Sequence, residues 1–185
     1  LELTASEVGD NNVTRGLVIN STVTGNAANM HGSSYESGGG IRVYGYSGNG
    51  SLASLHLYNT IVYGNSVVGG QSGQDLYVNQ ETPGSAVVNA DHCDIGDVGG
   101  DLTLYHPVQV IRADPAFAVP ASDNYHLSVE SPCIDRGTTA VPNPPGLPAA
   151  DFEGEPRVFG TAPDIGADEC QCARRYILYL PLVMK

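Results

Sequence analysis

Tryptophan is absent from the sequence, basic side chains are scarce and no apolar run is long. Eight Lys and Arg against twenty Asp and Glu leave a net charge of -12, which repels phosphate backbones and anionic headgroups alike. Nucleic acid is thereby excluded as a partner. No stretch approaches the roughly 18 consecutive apolar residues of a membrane-spanning helix, so no membrane insertion is expected. Helical spacing never persists beyond a turn, and 23 Gly and 12 Pro interrupt the chain more often than a helical protein tolerates. The chain opens at Leu1 without a charged-then-apolar leader, as expected of a processed or excised segment whose targeting signal lies upstream. The four cysteines show no metal or redox spacing. With abundant Asn, Ser, Thr and Gly, they point to an oxidising, extracellular or cell-surface location.

What remains is strand-like. Ile41-Arg42-Val43-Tyr44, Leu55-His56-Leu57-Tyr58, Asp75-Leu76-Tyr77-Val78 and Asp101-Leu102-Thr103-Leu104 alternate with period two, predicting strands with one face inward. Gly-rich joints such as Gly38-Gly39-Gly40 supply the corners. Asn20-Ser21-Thr22-Val23-Thr24-Gly25-Asn26 realigns on Asn59-Thr60-Ile61-Val62-Tyr63-Gly64-Asn65 at an offset of 39, and a looser copy, Asp91-His92-Cys93-Asp94-Ile95-Gly96-Asp97, follows 32 places later. Self-similarity of this kind means stacked units, and the offset suits two coils of about 20 residues each. Stacked coils put equivalent residues about 4.8 Å apart, so asparagine ladders are expected, Asn59 on Asn20 and Asn65 on Asn26. The plainer role for these residues is a turn that tolerates left-handed backbone. The expected fold is all-β, a right-handed parallel β-helix over residues 1–110.

From about residue 107 the chain turns proline-rich, with Asp114-Pro115, Val119-Pro120, Ser131-Pro132 and Pro142-Asn143-Pro144-Pro145. An irregular capping region is expected over residues 111–170, covering the last open strand edges. An apolar tail strand follows over residues 171–185. Four cysteines allow three pairings. A Cys93–Cys133 bridge is favoured, because it would staple the third repeat's corner to the cap.

Asp114-Pro115-Ala116-Phe117, Asn124-Tyr125-His126-Leu127, Ser131 through Gly137, Asp151 through Arg157 and Pro163-Asp164-Ile165-Gly166-Ala167-Asp168-Glu169 occur in order. This series resembles the C-terminal region of bacterial secreted surface proteins of the choice-of-anchor Q type, which follow right-handed β-helix repeats of the pectate-lyase-like superfamily. The resemblance spans nearly the whole chain and implies the fold. It implies little about activity. Asp168 stands where that family more often has an aromatic residue.

Chemistry-bearing residues are few. Asp91, Asp94, Asp97 and Asp101 could gather on one edge as a hydrolase pair or a calcium site, or be solvated turn carboxylates. Asp151, Glu153 and Glu155 alternate and could converge on calcium, without the glycine and distal glutamate of an EF-hand loop. The histidines at 31, 56, 92, 106 and 126 show no metal-ligand pairing. Tyr44, Tyr46, Tyr58 and Tyr63 could form a sugar-stacking strip. No catalytic or cofactor-binding residue is assigned. The expected function is a non-enzymatic surface or filament building block whose partner is a second copy of the chain. Tyr176, Ile177, Leu178, Tyr179, Leu180, Leu182 and Val183 would add as a strand to a neighbour's open edge. A polysaccharide-binding or adhesin module is the alternative, and a partial polysaccharide lyase a third.

Overall fold

The structure is a computed structural model and describes residues 1–5, 12–29, 38–47, 50–69, 72–142 and 144–172. The alternating segments form strands. β1 (Glu2–Ala5), β2 (Val13–Ile19), β3 (Thr22–Val23) and β4 (Ala27–Asn29) come first, then β5 (Ile41–Gly45), β6 (Leu52–Tyr58), β7 (Ile61–Val62) and β8 (Ser66–Val68). After them come β9 (Leu76–Gln80), β10 (Ser85–Asp91), β11 (Asp94–Ile95), β12 (Val98–Gly100) and β13 (Tyr105–Val108). These strands pair in parallel in four sheets, ordered β1-β5-β9-β12, β2-β6-β10-β13, β3-β7-β11 and β4-β8. The chain visits its sheets in the same order on each pass.

Register corrects the reading of the repeat. Thr22 and Val23 pair directly with Ile61 and Val62, so the offset of 39 is one pass and not two coils. The third copy pairs Ile61 with Asp94 and Val62 with Ile95, which is 33 places and not 32. The slip arose because Gly96 and Asp97 imitate Gly64 and Asn65, whereas the corner itself is fixed by backbone. Asn20, Asn59, His92 and Gln109 each follow a strand of the second sheet with φ between 47 and 52°. Passes also shorten. Glu2 pairs with Arg42, Ile41 with Leu76 and Leu76 with Val98, which makes them 40, 35 and 22 residues long.

Register places aliphatic side chains in files. Val23, Val62 and Ile95 form one, and Val18, Leu57 and Ala90 another. They share a core with Ile41, Val43, Leu55, Leu76, Val78 and Val88. Burying each large aliphatic side chain stabilises by about 1.5–3 kcal/mol. Asp101-Leu102-Thr103-Leu104 is not a strand. Asp101 accepts from Thr103 N (3.0 Å) and Thr103 Oγ1 (2.7 Å), closing a 3-10 turn at Leu102–Leu104.

The proline-rich segment contributes one antiparallel pair, β14 (Phe117–Val119) with β15 (Asn124–Leu127). It runs lengthwise along the three-stranded sheet as a strap. Ala167 N donates to Thr22 Oγ1 (3.0 Å), Gly166 N to Asn59 O (2.9 Å) and Cys133 Sγ to Asp94 Oδ2 (3.4 Å). Ile61, Leu127, Cys133, Ile134, Ile165 and Cys170 form a second apolar cluster beneath it.

The expected Cys93–Cys133 bridge is not there. Both are buried free thiols, and Cys170 pairs with Cys172. Cys93 belongs to a file with Ser21 and Thr60, each donating to the carbonyl two residues earlier, at 3.3, 3.0 and 2.8 Å respectively. Its thiol is turned into its own corner. The Cys133 thiol is taken by Asp94.

Candidate functional site

A missing strand opens a cleft. The second pass leaves β7 through β8, but the third goes from β11 to β12 through Gly96 and Asp97 alone, so the sheet β4-β8 has no third member among the described residues. The space left is an open cleft of about 490 Å³ lined by Tyr63, Asn65, Gln74, Asp75, Asp97 and Arg112 among others. Its floor is a knot. Asp75 Oδ1 accepts from Asn65 N and Nδ2 (2.8 and 2.9 Å), and its Oδ2 accepts from Asp97 N (2.8 Å). Gln74 N donates to Asp97 Oδ2 (2.9 Å). Gly96 is required here, since a Cβ would lie 2.3 Å from Asp75 Oδ2. Burial raises the Tyr63 hydroxyl, with the carboxylates of Asp114, Asp94 and Asp75 adding to the shift. Asp75 is buried with both oxygens engaged, leaving Asp97 and Arg112 as the exposed charged groups of the cleft.

The two asparagine pairs differ. Asn26 N and Nδ2 both donate to Asn65 Oδ1 (3.1 and 2.9 Å), and Asn65 Nδ2 continues to Val23 O (2.9 Å). Asn59 is fully buried and spends its amide on the strap, donating to Thr138 O (2.8 Å) and accepting from Thr138 N (2.7 Å). Asn20, one pass below, accepts from Asn59 Nδ2 at 3.5 Å, the expected ladder contact, and with its amide reversed its oxygen meets Arg157 Nε and Nη2 (3.1 and 3.3 Å). It lies on the same corner as Asn59, where the ladder meets the strap.

The four aspartates near the third repeat do not gather. Asp91 pairs with His92 Nδ1 (2.7 Å), Asp101 caps its turn, Asp97 faces the cleft and Asp94 is fully buried. Burial pushes the Asp94 carboxyl up to about 6, against the bonds from Ala113 N and the Cys133 thiol. Tyr44 and Tyr46 have ring centroids 4.7 Å apart, with the Arg42 guanidinium 4.6 Å over Tyr44. Tyr58 ends β6 in another sheet and Tyr63 packs on the second apolar cluster, so the four tyrosines form no single strip. The expected assembly residues Tyr176 through Val183 lie outside the described residues.

The strap is organised by carboxylates. Asp164 accepts from Asp135 N and Cys170 N (2.7 and 2.8 Å), and Glu169 from Phe159 N and Asp164 N (both 2.9 Å). Asp151 accepts from Glu153 N and Glu155 N (both 2.9 Å) and from Glu169 N (3.1 Å). Arg157, 2% exposed, donates to the carbonyls of Ala167, Asp164 and Asp168 and lies 3.4 Å from Glu169. Burial pushes Glu169 up to about 7. No family model, curated protein or solved structure matches the chain. Sequence reasoning missed the cleft because its cause is a strand that is not there, and the only trace is the two-residue link Gly96-Asp97.

Proposed function

We propose that the chain is a module of an extracellular right-handed parallel β-helix, acting as a non-enzymatic surface or filament building block. The observation that supports this best is the register itself. β5 to β8 satisfy one edge of β1 to β4 in the same order as the passes above, and among the described residues no strand pairs with the other edge of those four. Open parallel edges are templates for strand addition. The carboxylates that acid–base chemistry would use mostly accept backbone N–H groups. Kinship with the secreted surface proteins is part of the same proposal, since Asp151, Arg157, Asp164 and Glu169, from the phrases that carry the resemblance, are the ones that knit the strap. Negative-stain microscopy and sedimentation over a range of concentrations test it. Elongated assemblies are expected, and their loss with retained fold on deleting Tyr176 to Lys185. A monomer at every concentration overturns self-assembly.

The cleft favours a second reading, polysaccharide binding. An aromatic ring, a side-chain amide, a carboxylate and a guanidinium converge there, a lining suited to sugar hydroxyls. A glycan array is the test. Binding that Arg112→Ala and Asp97→Ala abolish supports it, and an empty array sinks it.

A further inference from the structure

His126, Glu153 and Asp168 come from three separate stretches of the strap, β15, the 151–155 turn and the stretch just before the disulfide. His126 Nδ1 is 2.9 Å from Asp168 Oδ1 and 3.5 Å from Glu153 Oε2, and one donor atom from each lies within 4.8 Å of the other two. A zinc ion about 2.0–2.1 Å from each of three tetrahedral ligands holds them about 3.3 Å apart. The measured separations from the imidazole bracket that figure. We propose that these three side chains form a site for one divalent transition-metal ion, with Zn²⁺ as its probe.

The surroundings are built to support it. Asp168 is 5% exposed, and its second oxygen is fixed by Leu127 N (2.8 Å), which orients the first towards the imidazole. Asp151 spends its carboxylate on the backbone of Glu153 and Glu155, shaping the turn that brings Glu153 to 3.5 Å from the imidazole. Phe152 packs against the His126 ring, centroids 5.3 Å apart, and limits its rotation. Such outer partners tune metal affinity strongly. Charge agrees, because Glu153 and Asp168 flank a single imidazole and Asp151 and Glu155 lie beside Glu153, while the buried Arg157 guanidinium is turned to backbone carbonyls and Glu169. The nitrogen donor decides the class of ion, since Ca²⁺ and Mg²⁺ prefer all-oxygen sets and imidazole suits zinc and its neighbours. The all-oxygen trio Asp151, Glu153 and Glu155, whose atoms also converge, is the competing calcium arrangement.

Calorimetric titration of the full chain with ZnCl₂ and separately with CaCl₂ distinguishes them. One Zn²⁺ per chain is expected. His126→Ala and the exposed-side variant Glu153→Gln should each weaken it tenfold or more, about the loss that even outer-shell changes produce. Asp97→Ala, in the cleft, which shares no lining residue with this site, should leave it unchanged. Because Glu153 is half exposed and its carboxylate holds no backbone group among the described residues, its variant keeps the fold and keeps the test valid. Absence of Zn²⁺ binding, Zn²⁺ affinity unmoved by both ligand variants, or Ca²⁺ binding tighter than Zn²⁺ overturns the proposal.

Discussion

The parallel sheets and the strap solve the same problem by opposite means. In the sheets the backbone amides that face a neighbouring pass find their partners there, and side chains are free to fill a core of aliphatic files. In the strap there are few strands, and amides of Asp135, Phe159, Asp164 and Cys170 are taken by the carboxylates of Asp164 and Glu169. A buried backbone N–H must be satisfied somewhere. Where no ladder does it, acidic side chains do, and stability then depends on a few named residues instead of many equivalent ones.

Removing one node from each region tests that contrast. Arg157→Ala leaves Glu169 buried without its cation and frees three carbonyls, an expected loss of about 3–5 kcal/mol. Hydrogen exchange should show the loss confined to residues 111–172, with the sheets still protected. Leu55→Ala should cost about 2–5 kcal/mol, but lower the protection of all the sheets together. If both variants melt the whole chain in one step, the two regions are one cooperative unit and the contrast fails.

Asp94 lies where the regions meet. Its folded pKa, about 6, is above the ordinary carboxyl value of 3.8, so the folded state binds the extra proton. That contribution is complete below pH about 4 and is lost as pH rises through 6. Asp94→Asn should therefore match the parent near pH 4 and exceed it at pH 7.5 by on the order of 2 kcal/mol, measured by urea denaturation at both pH values. A difference that does not grow with pH removes the proposed cause. The smallest effect is expected at the exposed ladder. Asn26→Ala should lose about 1 kcal/mol or less, because Asn65 keeps its bonds to Asp75 and Val23.

Period-two runs and the doubled Asn-to-Gly-Asn phrase were enough to read parallel all-β stacking from residues alone. Pass length was not, because strands as short as β3 and β7 are joined by corners that a spacing argument counts as strands of their own. The third register was missed by one residue, since His92 takes the left-handed corner that Asn20 and Asn59 had marked. The cysteine pairing was missed because Cys93 occupies a position held by Ser21 and Thr60, where a thiol behaves as a hydroxyl. Asp151, Glu153 and Glu155 were visible as alternating carboxylates. Their companions His126 and Asp168 were not, because 42 residues separate the two and an irregular segment has no period to bring them together on paper.

The lengthwise course of the strap has a mechanical consequence. Because it grips the first pass at Thr22, the second at Asn59 and the third at Asp94, it spans the stack as a tie-bar. A pulling force along the stacking axis loads the ladder hydrogen bonds and the strap side by side, so neither yields until both share the strain. A module with its own tie-bar resists peeling pass by pass from one end, which is the weak mode of any structure held only by contacts between successive layers.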